Sequence, residues 1–474
     1  MKKAINLKTL LIMLCALAVP GVGHSASLLE VYQQALQSDP RIHEAEALRL
    51  AALEAEPQAR GVLLPQIGFG SDWTKFKSSG TSTREDSQGI FTSSSDSRGE
   101  TTRWQFTLRQ TLFRWDQIVG LRRANKIVAK AEADREAAQQ DLIIRVALRY
   151  FDVLAAEDRL TSIHADRQSI ARQLEQAKQR FDVGLIAITD VQESQAAYDQ
   201  AVAAEIGAKR SLATSREFLR EITGQHVSTL SAPGDDFPLQ NPTPSDEASW
   251  VDLALSQNLV LVSSRLDERL ARDEISFRRN GRYPTIDLVA SMGESDTSAE
   301  LRLAPAPTFS TADSDSQSDS ISIQFNLPLF AGGYNTSRVR EAVYLHRASR
   351  EQLQRVTRET ERQARDAYLG VLSEISRVQA LKQAVASSRT ALEATEAGFD
   401  VGTRTIVDVL NSQFNLYASI TSFYRSRYDY ILNVLALKQA AGNLQIQDLE
   451  NVDQWLKDRP TPEQAIAEEA AATG

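Results

Sequence analysis

Few residues in this chain are spaced for covalent chemistry. His43, His164, His226 and His346 are isolated in the sequence and read as solvated helix or loop residues, not as ligands. The sequence contains no phosphate-binding glycine loop, no nucleophile elbow and no His-Glu-x-x-His zinc pattern. Neither an enzymatic activity nor a cofactor or metal is predicted. Asp313, Asp315 and Asp319 could in principle hold calcium, but a solvated surface loop is the plainer reading. The polar residues that do form a pattern lie in two short segments, Phe181 to Gln195 and Phe399 to Gln413. Thr189 followed by Gln192, and Thr405 followed by Asp408, fit helix N-caps. Asp190 and Asp408 would each meet the positive end of a helix dipole. Beyond them Asp408, Asn411, Asn415, Ser419 and Ser422 recur at spacings of three and four, beside an apolar row of Ile406, Leu410, Phe414, Tyr417, Ile420 and Tyr424. Such a stripe is either a solvated outer face or the lining of a water-filled passage, and periodicity does not distinguish them. The chemistry on offer is electrostatic.

These two segments are one motif written twice. Phe181-Asp182-Val183-Gly184 recurs as Phe399-Asp400-Val401-Gly402, 218 residues later, and nine of the fifteen positions from Phe181 to Gln195 are identical at that offset. Gly224 and Gly442 keep the offset, while Ala35-Leu36 and Pro65 match Ala254-Leu255 and Pro284 at 219. A repeat of this length divides the chain into a first unit over residues 27–230 and a second over 247–445. The linker between them, 231–246, holds Pro233, Pro238, Pro242 and Pro244. Residues 446–474 read as a C-terminal tail.

Residues 1–26 read as a secretory signal peptide. Lys2, Lys3 and Lys8 precede an apolar run from Leu10 to Val19, broken by Pro20, Gly21 and Gly23, with small residues at Ser25 and Ala26. Leu14 is too large for a lipoprotein site before Cys15, and Cys15 is the chain's one cysteine, so a disulfide framework is excluded. The formal charge of −9 becomes about −12 without the three leader lysines, which disfavours nucleic acid as a partner. After the leader no apolar run is long enough for a transmembrane helix.

Each half orders as helix, strand, loop, strand, long helix, turn, helix. Asp116 to Phe181 lacks proline, and so does Asn335 to Phe399. Helices of roughly 65 residues would extend about 100 Å, so they must pack lengthwise as antiparallel coiled coils, with alanine-rich seams at Ala131 to Ala138 and Ala201 to Ala208. Pro57 interrupts an otherwise helical run and predicts a kink. Four segments alternate apolar and polar residues: Gln66 to Phe76, Arg103 to Phe113, Thr285 to Gly293 and Ser320 to Leu329. Their length and one-sided apolarity are those of bilayer-spanning β-strands, and polar loops are expected over Lys77 to Thr102 and Glu294 to Asp319. Four strands cannot close a barrel, and an open edge is forbidden in lipid. Several copies must therefore share one barrel, eight-stranded in a dimer or twelve-stranded in a trimer.

Phe181-Asp-Val-Gly-Leu-Ile-Ala-Ile-Thr-Asp-Val191 and Ala397-Gly-Phe-Asp-Val-Gly-Thr-Arg-Thr-Ile-Val-Asp-Val-Leu410 resemble the two periplasmic hairpin tips of the TolC family of outer-membrane export channels. Leu327-Pro-Leu-Phe-Ala-Gly-Gly333 resembles that family's strand-to-helix junction, and the likeness runs from Leu28 to about Leu449. The fold class it implies is mainly α with a membrane β-barrel. Long antiparallel coiled-coil helices would join four β-strands per protomer, and a homotrimer would share a twelve-stranded barrel in outer-membrane lipid. The implied function is a passive exit duct for a tripartite efflux pump or type I secretion system, with a tunnel extending into the periplasm. A periplasmic adaptor (membrane fusion) protein and an inner-membrane pump or ABC transporter are the implied partners. By the same resemblance Arg404 is a closed-state lock accepted by Thr189 and Asp190, with Gln173 and Glu396 at a second link and Phe399 where a relative has tyrosine. Asp408 and Asn411 fall at the pore constriction, and Gly184, Leu185, Gly402 and Thr403 at the adaptor-docking tips. The alternatives are a periplasmic adaptor, which needs small β-rich modules not seen here, and a coiled-coil scaffold, which leaves the amphipathic strands unexplained.

Overall fold

The computed structural model describes residues 25–459 except 88, 228, 235–236 and 305–307. The expected leader up to residue 24 and the tail beyond 459 lie outside the described residues. The first half of the chain forms helices α1 (Leu28–Ser38), α2 (Pro40–Leu53) and α3 (Ala55–Gly61), strands β1 (Gln66–Asp86) and β2 (Gly89–Phe113), the long helix α4 (Trp115–Asp182) and its return α5 (Ile188–Thr223). A short strand β3 (Ala232–Pro233) follows. The second half repeats the order with α6 (Glu247–Gln257), α7 (Leu259–Arg278), β4 (Thr285–Ala304), β5 (Thr308–Asn326), α8 (Tyr334–Asp400) and α9 (Ile406–Ala441). Helix α10 (Ile446–Asp453) and strand β6 (Leu456–Lys457) end the described chain. The helical run containing Pro57 breaks after Leu53, four residues before the proline, where the ring would strike the i−4 carbonyl.

The chain divides into two compact units, and each takes segments from both halves of the sequence. One gathers the residues up to Ala47, Ala133–Val262 and those from Arg355 onward. Its core is built where the 3.6-residue rows of α4 and α9 meet the amphipathic α1: Leu142, Val146, Tyr150 and Leu154 pack with Leu28, Val31 and Tyr32 and with Ile431 and Leu435. Phe151 stacks on Tyr428, with ring centroids 5.4 Å apart. Several of its buried polar groups are paired across elements, as burial favours. The Tyr150 hydroxyl donates to the Ser231 carbonyl at 2.6 Å. Arg459 reaches from beyond β6 to Asp158 (2.6 Å) and Glu157 (3.2 Å) of α4, so the end of the described chain is strapped to the long helix.

The other unit, Leu48–Glu132 and Ser263–Gln354, contains the four-stranded antiparallel sheet in the order β1-β2-β4-β5. Arg114 grips the half-repeat partner strand by a forked bond to Asp287, at 2.7 and 3.2 Å. Register puts Ile67, Phe69 and Trp73 on one face with Trp104, Phe106, Leu108, Ile286, Met292, Ile321 and Phe325. Most of these side chains stay exposed in the single chain, Ile321 at 81% and Ile67 at 74%, while Trp104, Leu108 and Ile286 are half-buried. The opposite face carries polar and small residues such as Gly68, Gly70, Thr107, Ser291 and Ser322.

One expectation fails here. The predicted loops Lys77 to Thr102 and Glu294 to Asp319 are mostly strand: β1 and β2 stay paired from Gln66↔Arg109 out to Asp86↔Gly89, and β4 and β5 from Thr285↔Asn326 to Leu303↔Thr308. Those outer segments bury neither face, so they lack the alternation that marks a half-buried strand. Their serines and threonines pair through the backbone all the same. Asp313, Asp315 and Asp319 accordingly lie along one face of β5, not in a loop.

Candidate functional site

The two repeated segments form helical hairpin tips, and both end in the same turn. Helix α4 closes with Gly184 at φ +76, its N–H donating to the Phe181 carbonyl (2.8 Å) while the Leu185 N–H donates to Arg180 (2.9 Å). Helix α8 closes with Gly402 at φ +79, its N–H donating to Phe399 (3.0 Å) while the Thr403 N–H donates to Gly398 (2.8 Å). This is a Schellman closure, and its left-handed residue selects glycine. The tips present apolar side chains: Val183, Leu185 and Val401 are 69%, 73% and 75% exposed.

The returning helices start differently. Thr405 caps α9, its hydroxyl accepting from the Asp408 N–H (3.3 Å) while Asp408 Oδ2 accepts from the Thr405 N–H (2.9 Å). The Thr405 backbone N–H and hydroxyl hold the Asp408 carboxyl below the usual carboxylate range, and Arg404 adds to that. Helix α5 is capped by Ala187, which supplies no side-chain bond. Thr189 is thus not an N-cap; it is the second residue inside the helix. The repeat offset carried this signal, since 218 residues before Thr405 is Ala187. Asp190 lies in the first turn of α5, and its carbonyl accepts from Ser194 Oγ at 2.9 Å.

Within the chain, Arg404 and Asp190 do not form an ion pair among the described residues. The tips are joined by the predicted Phe399 and Gln173 together with Arg180, Asp400, Gln413 and Asp166, which lie outside the predicted set. Arg180 of α4 pairs with Asp400 of α8 at 2.7 Å and lies 5.0 Å over the Phe399 ring. One level further from the tips, Gln173 donates to Gln413 Oε1 (2.8 Å), and Gln413 donates to the Asp166 carboxyl (2.8 Å) and carbonyl (3.0 Å). Burial raises the Asp166 carboxyl, against that bond from Gln413. Glu396 and Arg404 are exposed, as are Asn411 and Asn415. The buried face of α9 near the tip is Ile406, Val409, Gln413 and Leu416, so Phe414, 66% exposed, lies off the core face.

Two histidines differ from expectation. His164 is buried between α4 and α5 beside Glu205, and His346 meets Glu268 at 2.6 Å. Glu205 loses water on burial, which raises its carboxyl. Bonds from Lys209, His164 and Arg167 outweigh that and bring it down to about 2. Both histidines lie within helix–helix packing.

The family model described as "Outer membrane efflux protein" matches residues 31–225 and 250–443. The Outer membrane protein TolC of Vibrio cholerae is 38% identical over 434 residues, 91% of this chain and 94% of that protein. The Alkaline protease secretion protein AprF of Pseudomonas aeruginosa is 28% identical, covering 90% of this chain and 86% of that one. Among solved structures, the Campylobacter jejuni CmeC outer membrane channel superposes with a TM-score of 0.71 at 15% identity, over 90% of this chain and 89% of that chain.

Proposed function

The chain belongs to the outer membrane efflux protein family, and from that membership we propose how it serves as an outer-membrane exit duct for efflux and type I secretion, reaching into the periplasm. Three copies form a homotrimer and share a twelve-stranded barrel in outer-membrane lipid. The observation that carries this reading is the sheet. It has an apolar band on one face, a polar opposite face and two open edges, at β1 and β5. Lipid does not tolerate an unpaired strand edge, because it offers nothing to bond the exposed N–H and C=O groups. Closure by further copies removes both edges and turns the apolar face outward. No helix among the described residues is long and apolar enough to cross a membrane, so the sheet is the element available for that task.

The hairpin tips take the other end of the duct. Gly184, Leu185, Gly402 and Thr403 form the docking surface for a periplasmic adaptor, which couples the duct to an inner-membrane pump or ABC transporter that supplies the energy. Exposed Val183, Leu185 and Val401 give that surface its apolar contact. Asp408 and Asn411 form the constriction, and Arg404 locks neighbouring tips by reaching Thr189 and Asp190 of another copy. Gln173, Glu396 and Phe399 support the closed state. Arg404 has the planar donor fork suited to a carboxylate, and no ion pair among the described residues of its own chain consumes it. An adaptor or a coiled-coil scaffold would leave the apolar sheet face without a purpose.

The test is an outer-membrane fraction analysed for heat-modifiable trimers, together with epitopes at Ser314 and at Gly184. Trimers with surface labelling of Ser314 alone on intact cells are expected. Labelling of Gly184 without permeabilisation would overturn the orientation.

A further inference from the structure

The charged residues beyond the apolar band are sorted between the two open edges of the sheet. On the band-bearing face, β1 passes from Trp73 to Lys75 and Lys77, while β5 passes from Ile321 to Asp319 and Asp315. Lys75 is satisfied inside the chain by Glu100, its cross-strand partner, at 2.8 Å. Lys77 is not: its cross-strand partner is Arg98, a like charge. Asp319 stands opposite Met292, and Asp315 opposite Asp296. Among the described residues Lys77, Asp319 and Asp315 form no ion pair. Like charges set opposite one another weaken a sheet, and opposite charges on neighbouring strands strengthen it. The edge lysine and the edge aspartates each lack what the other edge provides.

A second observation limits the register. The border between apolar and charged residues steps regularly across the sheet. It falls after Trp73 on β1, at Trp104 on β2, at Met292 on β4 and at Ile321 on β5. The partners of these residues are Trp73↔Thr102, Trp104↔Glu294 and Met292↔Asp319, so each strand displaces the border by two residues. Side chains of one face recur every second residue, so a fourth junction can step only by an even number. A further step of two sets Lys77 opposite Asp319, and no step sets Lys75 opposite it. The first continues the border; the second lowers the mean stagger towards strand tilts of about 35–45°. The first register gives β1 neighbours to both Leu327 and Leu329, which follow β5 without a partner strand and are 41% and 89% exposed, and the second gives one to Leu327 alone.

We propose that the β5 edge of one copy pairs antiparallel with the β1 edge of the next, with Asp319 held between Lys75 and Lys77 of that neighbour. The ion pairs fix which residues meet, so they set the register of the closed barrel. This rests on the shared-barrel reading above and assigns its subunit junction.

Cysteine pairs test it, in a Cys15→Ser background that holds no other thiol. Facing positions on antiparallel strands lie within disulfide range. The full-length protein is oxidised in the membrane, and trimers are independently fixed with an amine cross-linker. Oxidation of Lys77→Cys/Asp319→Cys or of Lys75→Cys/Asp319→Cys should yield a covalent trimer at more than about ten times the level of Thr83→Cys/Asp319→Cys, which is displaced by at least six residues along the edge. Amine-fixed trimers without a disulfide from either pair would overturn the junction while leaving the shared barrel standing. Monomers alone would overturn the shared barrel itself. As a check on misfolding, Asp319→Lys should lower the temperature at which trimers dissociate, and Lys75→Asp/Lys77→Asp in the same chain should restore it. No restoration would count against charge as the determinant of register.

Discussion

The first and second hairpin tips share a backbone and differ in their charges. Gly184 and Gly402 have left-handed angles within a few degrees and close their helices with the same pair of bonds. Past that turn the first tip continues through Ile186 and an N-cap Ala187 that offers no side-chain bond, whereas the second continues through Arg404 and the Thr405–Asp408 capping box. The hairpin needs the turn, and the turn needs a residue without a Cβ, so that part is the same in both halves. The helix start needs only some cap, and the second tip uses it to hold an arginine and a carboxylate four residues apart. On the reading proposed above, the second tip supplies the lock arginine and the constriction carboxylate, and the first supplies the turn and the Asp190 acceptor.

The largest effect expected is on the shared turn. Gly184→Val and Gly402→Val each place a β-branched residue at positive φ, at a cost of about 1–2 kcal/mol or more. The double variant should still form trimers but lose export, measured as dye efflux from whole cells. Normal efflux would show that the tips do not dock. The second effect separates the tips. In planar bilayers Asp408→Asn should weaken block by a trivalent cation about tenfold or more, and Asn411→Asp should tighten it. Asp190→Asn, at the matching position of the first tip, should change block far less. Equal effects at Asp190 and Asp408 would erase the proposed division of labour.

Smaller effects concern stability. Thr405→Ala removes a cap and should cost about 1 kcal/mol, while Ala187→Ser should add a part of that, both read as hydrogen-exchange protection in the first turns of α9 and α5. Arg180→Ala removes an exposed pair with Asp400 and a ring contact, and should cost about 1 kcal/mol or less. Smallest at neutral pH, and growing with acid, is the contrast between tip and shaft. The Glu205 carboxyl is lowered to about 2, so its contribution is complete above the ordinary glutamate range and is lost as pH falls towards 2. Glu205→Gln should therefore flatten the acid limb of a stability profile, and an unchanged limb would show the cluster to be inert.

The repeat, the long helices and the inner, amphipathic halves of the strands were legible in the sequence because each imposes a period on apolar residues. The outer halves of the strands were not, because Ser78 to Thr83 and Ser310 to Ser318 bury neither face and leave no period to read. The Thr189 cap was misread from its residue type, although the offset to Thr405 pointed to Ala187. Arg180–Asp400 and Gln173–Gln413 join residues more than 200 positions apart, and no local pattern announces such a meeting. His164 gave no sign of burial because its partner Glu205 comes from the returning helix, where Lys209 also holds that carboxylate.

The Thr405–Asp408 box also bears on how an aperture built from these tips could widen. Asp408 Oδ2 accepts from both the amide and the hydroxyl of Thr405, each at 2.9 Å, so its side chain is clamped to the helix that carries it. A clamped carboxylate cannot swing aside to let a bulky solute through. If Asp408 rims the proposed constriction, dilation carries the start of α9 outward with it, as a stiff lever. The opening rate should then depend on how α9 pivots against α8, and hardly at all on the rotamer of the residue at its rim.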